Sequence, residues 1–222
     1  MPKVYIIATP IGNLEDITYR AVRVLQTVDF VLAEDKRVTK KLFDHYQIKT
    51  DLLFWHQHSK INDWHKVKNL LSQGKNLALV TDAGTPGLSD PGGKLIELVL
   101  KELPETEIVA VPGASAVTAL ISVAGIALDN FTFLGFLPHK KGRQTIICQI
   151  KESKIPVIFF ESVHRITKAL EQLTDCPKQL IVGRELTKQF ETIYRGTAAE
   201  ILEILNKNKQ QLKGEFVVIV NK

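Results

Sequence analysis

Residues Thr81–Gly93 hold four glycines, two prolines and two aspartates, directly behind the apolar run Leu77–Val80. Each Gly gives up side-chain burial and loses backbone entropy on ordering, so a packed core has no use for so many in one place. A small ligand that touches main chain does. Gly lets N–H and C=O groups come close to such a ligand, Pro fixes the loop path at low entropic cost, and open α/β sheets bind ligands at the carboxyl ends of their strands. Two shorter loops share the pattern: Ala8–Asn13 after the apolar run Lys3–Ile7, and Val111–Ser115 after Glu107–Ala110. Three strand ends of this kind point to one shared crevice.

The residues in these loops exclude two common occupants. The dinucleotide fingerprint Gly-x-Gly-x-x-Gly is absent from the first loop, and no Gly-x-x-x-x-Gly-Lys-Ser/Thr phosphate loop occurs anywhere. No lysine is present in the loops to meet a phosphate, and Asp82 and Asp90 would repel one. A ligand with ammonium, sulfonium and neutral adenine groups fits better, and S-adenosylmethionine has all three.

The elements that must position these loops alternate. Strand patterns at 3–8, 29–33, 52–54, 77–81 and 107–111 are separated by helical patterns near 18–28, 36–46, 59–73 and 93–103. Short, continuous Val- and Ile-rich strands with helices between them predict a parallel sheet covered on both faces, an N-terminal α/β domain over 1–112. After Pro112 the pattern changes. A helix near 114–124 leads into strands at 131–135, 157–160, 179–183, 190–194 and 215–220, with helices near 141–152, 164–173 and 197–206. The strands at 179 and 190 are joined too briefly for a crossover helix, which predicts an antiparallel pair in the mixed sheet of a second α/β domain, 113–222.

With 222 residues, 45% of them hydrophobic, the chain can bury a large core. It has no run of about 18 apolar residues to span a membrane, and its N-terminus enters a strand without the blocks of a signal peptide, so a cytoplasmic protein is expected. Cys148 and Cys176 lack metal-ligand spacing and are expected to be reduced packing residues. His56 and His58, near His65, show a His-x-His spacing that no Cys or Glu completes, so no metal is expected; Phe54 and Trp55 beside them suit substrate-facing surface or packing. Lys plus Arg number 29 against 24 acids, a net +5 that hints at a polyanionic partner. Lys140, Lys141 and Arg143 beside Gly142 form a loop suited to wrapping phosphate. Lys36 and Arg37 form a second basic group, continued by Lys40 and Lys41 on a solvated helix face, and Lys188 with Arg184 a third.

Seven motifs in order then carry a resemblance: ATPIGNLED at 8–16, AEDKR at 33–37, TDAGTPGLSDPG at 81–92, VPGASA at 111–116, GFLPHKKGR at 135–143, FFESVHRI at 159–166 and GRELTKQFET at 183–192. Together they closely resemble the ribosomal RNA small subunit methyltransferase I family of the tetrapyrrole methylase superfamily. The resemblance implies two α/β domains, usually in a homodimer, with S-adenosylmethionine in the cleft between them. It implies methylation of the ribose 2′-hydroxyl of a cytidine in the decoding region of 16S rRNA, within the small ribosomal subunit. Alternatives are a tetrapyrrole methyltransferase of the same fold and a non-catalytic RNA-binding module. Two positions depart from the family pattern: Ala8 replaces its usual Gly, and Lys36 stands where it has Thr. Many relatives also continue past the last strand into a small helical domain, whereas this sequence stops at Lys222, so the basic surface of the two core domains is expected to do more of the RNA selection.

Carried over motif by motif, the cofactor contacts are Pro10 and Ile11; Asp82, Ala83, Gly84, Thr85 and Leu88; Ser115 and Ala116; and, from the second domain, Phe160, Gly183, Phe216 and Val217. The transfer needs a ribose oxygen placed in line with the sulfonium methyl, and an acceptor for the hydroxyl proton. Acids near the expected cleft are Glu34, Asp35, Asp82, Glu161 and Glu185. Glu161 or Asp35 is the expected acceptor, with Arg184 holding a phosphate. Lys36, Arg37, Lys140, Lys141, Arg143 and Lys188 are the expected RNA contacts.

Overall fold

The computed structural model describes residues 1–56, 59, 61–90, 92–208 and 212–222. The chain divides into two compact units, Met1–Ser115 and Ala116–Lys222.

The first unit holds strands β1 (Lys3–Ile7), β2 (Phe30–Ala33), β3 (Asp51–Phe54), β4 (Leu77–Val80) and β5 (Glu107–Val111), with helices α1 (Tyr19–Thr27), α2 (Lys36–His45), α3 (Ile61–Ser72) and α4 (Gly92–Glu102) between them. The sheet order is β3-β2-β4-β1-β5 and every pairing is parallel, as the alternating pattern predicts. All four residues of β4 are buried because helices cover both faces. On one face Val31, Ala33, Ala78 and Val80 pack with Leu25 and Phe43 from α1 and α2. On the other, Leu32, Leu77 and Leu79 pack with Trp64, Leu71, Leu95 and Val99 from α3 and α4.

The second unit begins with α5 (Ala116–Val123) and contains β6 (Thr132–Phe136), α6 (Arg143–Glu152), β7 (Val157–Ser162), α7 (Ile166–Glu171), β8 (Leu180–Arg184), β9 (Thr192–Gly196), α8 (Ala198–Lys207) and β10 (Glu215–Val220). Its sheet, in the order β6-β7-β10-β8-β9, is mixed: β6 and β7 are parallel, and the other three pairings are antiparallel. The expected pair of β8 and β9 is present, but β9 starts at Thr192 rather than 190. The reason is a turn with Glu185 at φ +50° and Thr187 at φ +66°, which takes up residues through Glu191 before pairing resumes. Cys148 corrects another expectation: Cys176 is buried, but Cys148 is exposed on the outer side of α6.

The sheet order of the first unit places the carboxyl ends of β4, β1 and β5 side by side, and hydrogen bonds join the loops that leave them. Thr9 and Gly84 exchange both backbone bonds, N to O at 2.9 and 3.1 Å, in an isolated antiparallel bridge. Ala8 N donates to Val111 O at 3.1 Å, Thr9 Oγ1 to Thr81 O at 3.1 Å, and Thr85 Oγ1 to Ala114 O at 3.2 Å. Gly84 takes φ +82°, a left-handed conformation that strains any L side chain. Gly113 is needed for a different reason: a Cβ there would lie 3.0 Å from the Cβ of Ala8. Gly84→Ala is therefore expected to destabilise the protein by about 1–2 kcal/mol, the cost of one left-handed non-glycine residue, as read by urea unfolding.

Candidate functional site

The joined strand tips of the first unit bring together the residues expected from its three loops. Pro10 is buried and Ile11 half-buried, its Cγ2 lying 3.3 Å from where a Cβ on Gly84 would sit. Ala83, Thr85 and Leu88 are exposed on the β4 loop, and Ser115 and Ala116 are half-buried at the end of the β5 loop. One role changes. Gly84 was expected to offer main chain to a ligand, but both of its backbone polar groups are committed to Thr9. Its task is to tie two loops together.

Three carboxylates stand at this edge. Glu34 Oε2 accepts from Thr81 Oγ1 at 2.9 Å. Asp82 Oδ1 accepts the Asp35 backbone N–H at 3.0 Å. Asp35 is the N-cap of α2, accepting from Arg37 N at 2.8 Å, and its carboxylate also pairs with the Arg37 guanidinium at 2.6 Å. Those bonds from Arg37 hold the Asp35 carboxyl down at about 2. Asp82 moves the opposite way, raised chiefly by partial desolvation and further by the charges of Glu34 and Asp35. Arg37 offsets the charge of Asp35, so the carboxylates of Glu34 and Asp82 give this edge a place apt for a cation.

Strand register sorts the expected residues of the second unit onto two faces. Directly opposed residues share a face in an antiparallel ladder. Val217 lies opposite both Phe160 and Gly183, so these three form one row across β7, β10 and β8. On that face a Cβ on Gly183 would come within 2.9 Å of Leu120 on α5. Phe216 lies opposite Glu161 and Arg184 in the next row, on the other face. The expectation for Phe216 fails on this point: it is 2% exposed and packs in the core with Phe159 and Val182.

Glu161 and Arg143 are corrected as well. Glu161 is 1% exposed and is bound by two arginines, Arg143 Nη1 at 3.1 Å and Arg165 Nη2 at 2.9 Å. A buried carboxylate with both oxygens engaged by guanidinium groups cannot reach a ribose hydroxyl. Arg143, expected at the RNA surface, is itself 4% exposed; Gln172 Oε1 and Pro138 O also accept from it. Arg165, which the sequence reading did not single out, donates to Leu137 O at 2.8 Å. The triad therefore grips the main chain of Leu137 and Pro138, and His139, Lys140 and Lys141 stand exposed just beyond. The i, i+4 spacing of Glu161 and Arg165 in FFESVHRI was the available signal.

Lys36 and Arg37 are exposed at the start of α2. Lys188 is bound to Glu185 and Glu215, both at 2.9 Å, which offsets its charge. Trp55 is buried and Phe54 45% exposed. Among the described residues no three His, Cys, Asp or Glu side chains gather as a metal site; His58 lies outside the described residues. Among the described residues no helix is long and apolar enough to cross a membrane.

Glu161→Gln is expected to cost about 3–5 kcal/mol of stability in urea unfolding, because it leaves the buried Arg143 and the half-buried Arg165 without their counter-charge. Asp35 gives a pH dependence. Its carboxyl ionises more readily in the fold than at its ordinary value of 3.8, so its contribution is present above about pH 4 and is lost as pH falls toward 2. Unfolding measured over that window should show a shallower acid loss for Asp35→Asn than for the unmodified protein.

The chain is similar to known proteins in sequence and in fold. The family model for tetrapyrrole (corrin/porphyrin) methylases matches residues 3–202. Proteins named ribosomal RNA small subunit methyltransferase I are similar along nearly the whole chain. That of Thermotoga maritima is 38% identical over 223 residues, covering 100% of this chain and 99% of its own length. That of Bacillus subtilis is 39% identical over 221 residues, covering 97% of this chain and 74% of its own length. Among solved structures, the cobalamin biosynthetic enzyme cobalt precorrin-4 methyltransferase superposes with a TM-score of 0.69 at 20% identity, over 98% of this chain and 94% of that one. Uroporphyrin-III-C-methyltransferase from Thermus thermophilus does so with a TM-score of 0.64 at 16% identity, over 100% of this chain and 95% of that one. The two structures share the fold, and the curated relatives share the sequence: the chain belongs to the tetrapyrrole methylase family, in the group of the ribosomal RNA small subunit methyltransferase I proteins.

Proposed function

We propose that this protein transfers a methyl group from S-adenosylmethionine to a ribose 2′-hydroxyl of 16S rRNA, that of a cytidine in the decoding region. The observation that carries the reading is the joined set of strand tips, rimmed by carboxylates and without a lysine, in a chain whose relatives are named for ribosomal RNA methylation. Bound there, S-adenosylmethionine supplies a methyl group already activated by its sulfonium. Glu34 and Asp82 favour the cationic donor, and main chain at Ala83, Thr85, Ser115 and Ala116 positions it, with Pro10, Ile11 and Leu88 as apolar walls.

The hydroxyl proton needs an acceptor. Asp35, held at about 2, is a weak base. Asp82 is shifted upward and accepts the proton more readily, oriented by the Asp35 N–H. Lys140 and Lys141, on a loop anchored by the Glu161 triad, and Lys36 and Arg37 meet RNA phosphates. The protein works in the cytoplasm on the small ribosomal subunit, as a homodimer.

The test incubates the protein with methyl-labelled S-adenosylmethionine and small ribosomal subunits that lack the modification. Label should appear in 16S rRNA as 2′-O-methylcytidine, identified by mass spectrometry of nuclease digests. Label passing to uroporphyrinogen and none to RNA would overturn the reading. Reversing charge at Lys140 and Lys141 to Glu should weaken association with small subunits about tenfold at low salt and less at high salt, with S-adenosylmethionine affinity by calorimetry unchanged.

A further inference from the structure

A cavity of about 560 Å³ opens in the second unit around the turn between β8 and β9, within the motif GRELTKQFET. That volume suits a nucleoside-sized ligand. The turn that frames it is strained. Glu185 and Thr187 are both left-handed, and a β-branched residue there is an outlier of the kind that collects at binding sites. Polar contacts hold the strain in place: Glu185 accepts Lys188 Nζ at 2.9 Å and Glu215 N at 3.0 Å, and Glu191 accepts Thr187 N at 2.6 Å. Gly214 makes room for this, since a Cβ there would lie 2.4 Å from Glu185 Cγ.

The frame has two consequences for the lining. Phe190 is held outward, 65% exposed beside the cavity, without an apolar neighbour in the lining to cover it. Arg184, by contrast, is 7% exposed, and its guanidinium donates to Lys213 O at 2.7 Å and Phe190 O at 3.0 Å. Those bonds fix the guanidinium in the frame, where its charge also helps hold the Glu185 carboxyl below its ordinary range. Gln189, Asn208 and Thr192 add amide and hydroxyl groups, and the Lys213 side chain is exposed at the rim. The carboxylates of Glu185 and Glu191 belong to the frame, each already accepting bonds from it.

We propose that this cavity takes one unstacked nucleotide of the RNA substrate, its base stacked on Phe190 and its phosphate toward Lys213 at the rim. An aromatic face, amide groups for a base edge and a cation at the rim for phosphate are recognition elements of single-stranded RNA. The inference rests on the RNA-substrate reading above.

The experiment measures binding of fluorescein-labelled hexacytidylate and of small ribosomal subunits to the unmodified protein, Phe190→Ala and Phe190→Trp. Phe190→Ala should bind hexacytidylate about tenfold more weakly, the effect of losing one base-stacking partner, with S-adenosylmethionine affinity unchanged. Phe190→Trp should retain binding, and unlabelled hexacytidylate should quench its fluorescence above the background of Trp55 and Trp64, both buried in the first unit. Unaltered hexacytidylate binding by Phe190→Ala, or an unquenched tryptophan, overturns the pocket. Weakened subunit binding by the Lys140 and Lys141 reversals alongside that result leaves the RNA reading standing. If the unmodified protein ignores hexacytidylate the pocket falls, and if it also ignores small subunits the RNA reading falls with it.

Discussion

The two hydrogen bonds between Thr9 and Gly84 are the constraint on which the first unit's crevice depends. A loop rich in glycine is the segment with the most conformational freedom to lose, and left alone it would offer a ligand a broad ensemble rather than a surface. The bridge removes that freedom at the middle of the β4 loop. Further bonds to Val111, Thr81 and Ala114 extend the restraint to all three tips. Pre-ordering of this kind lowers the entropy that binding must overcome, and it does so with main chain, leaving the exposed side chains of Ala83 and Thr85 to shape the surface.

The second unit solves a related problem with charge. Its basic loop follows β6 and would swing freely if held at its ends alone. Two guanidinium groups on one buried carboxylate fix the carbonyls of Leu137 and Pro138, so the lysines beyond start from a rigid base. Burying such ions is unfavourable on its own and is tolerated where geometry is good and remaining donors find acceptors. Gln172 and the two carbonyls supply most of those acceptors.

Much of the fold was legible because its signals are local. Short apolar strands alternating with helices fixed the parallel sheet, and the brief connection between residues 184 and 192 fixed the antiparallel pair. The three Gly/Pro loops were legible as one crevice for the same reason, since each follows a strand end. What stayed hidden depends on side-chain direction. Motif reading places Phe160 and Glu161, or Phe216 and Val217, at one site, yet successive residues of a strand point to opposite faces. Likewise Arg143 reads as a third cation of a basic loop, and only the long-range contact with Glu161 turns it inward. Gly84 looked like an opening for a ligand because composition reports permissiveness and cannot say which partner uses it.

The alternation along β7 also limits how this chain can change in length. A substitution in the strand disturbs one face at a time, but inserting or deleting a single residue before Phe160 would carry the carboxylate of Glu161 to the face now lined by Val217 and Gly183, and drive an aromatic ring in among the arginines. Diversification of this strand is therefore confined to substitution, and length variation is left to the loops at either end.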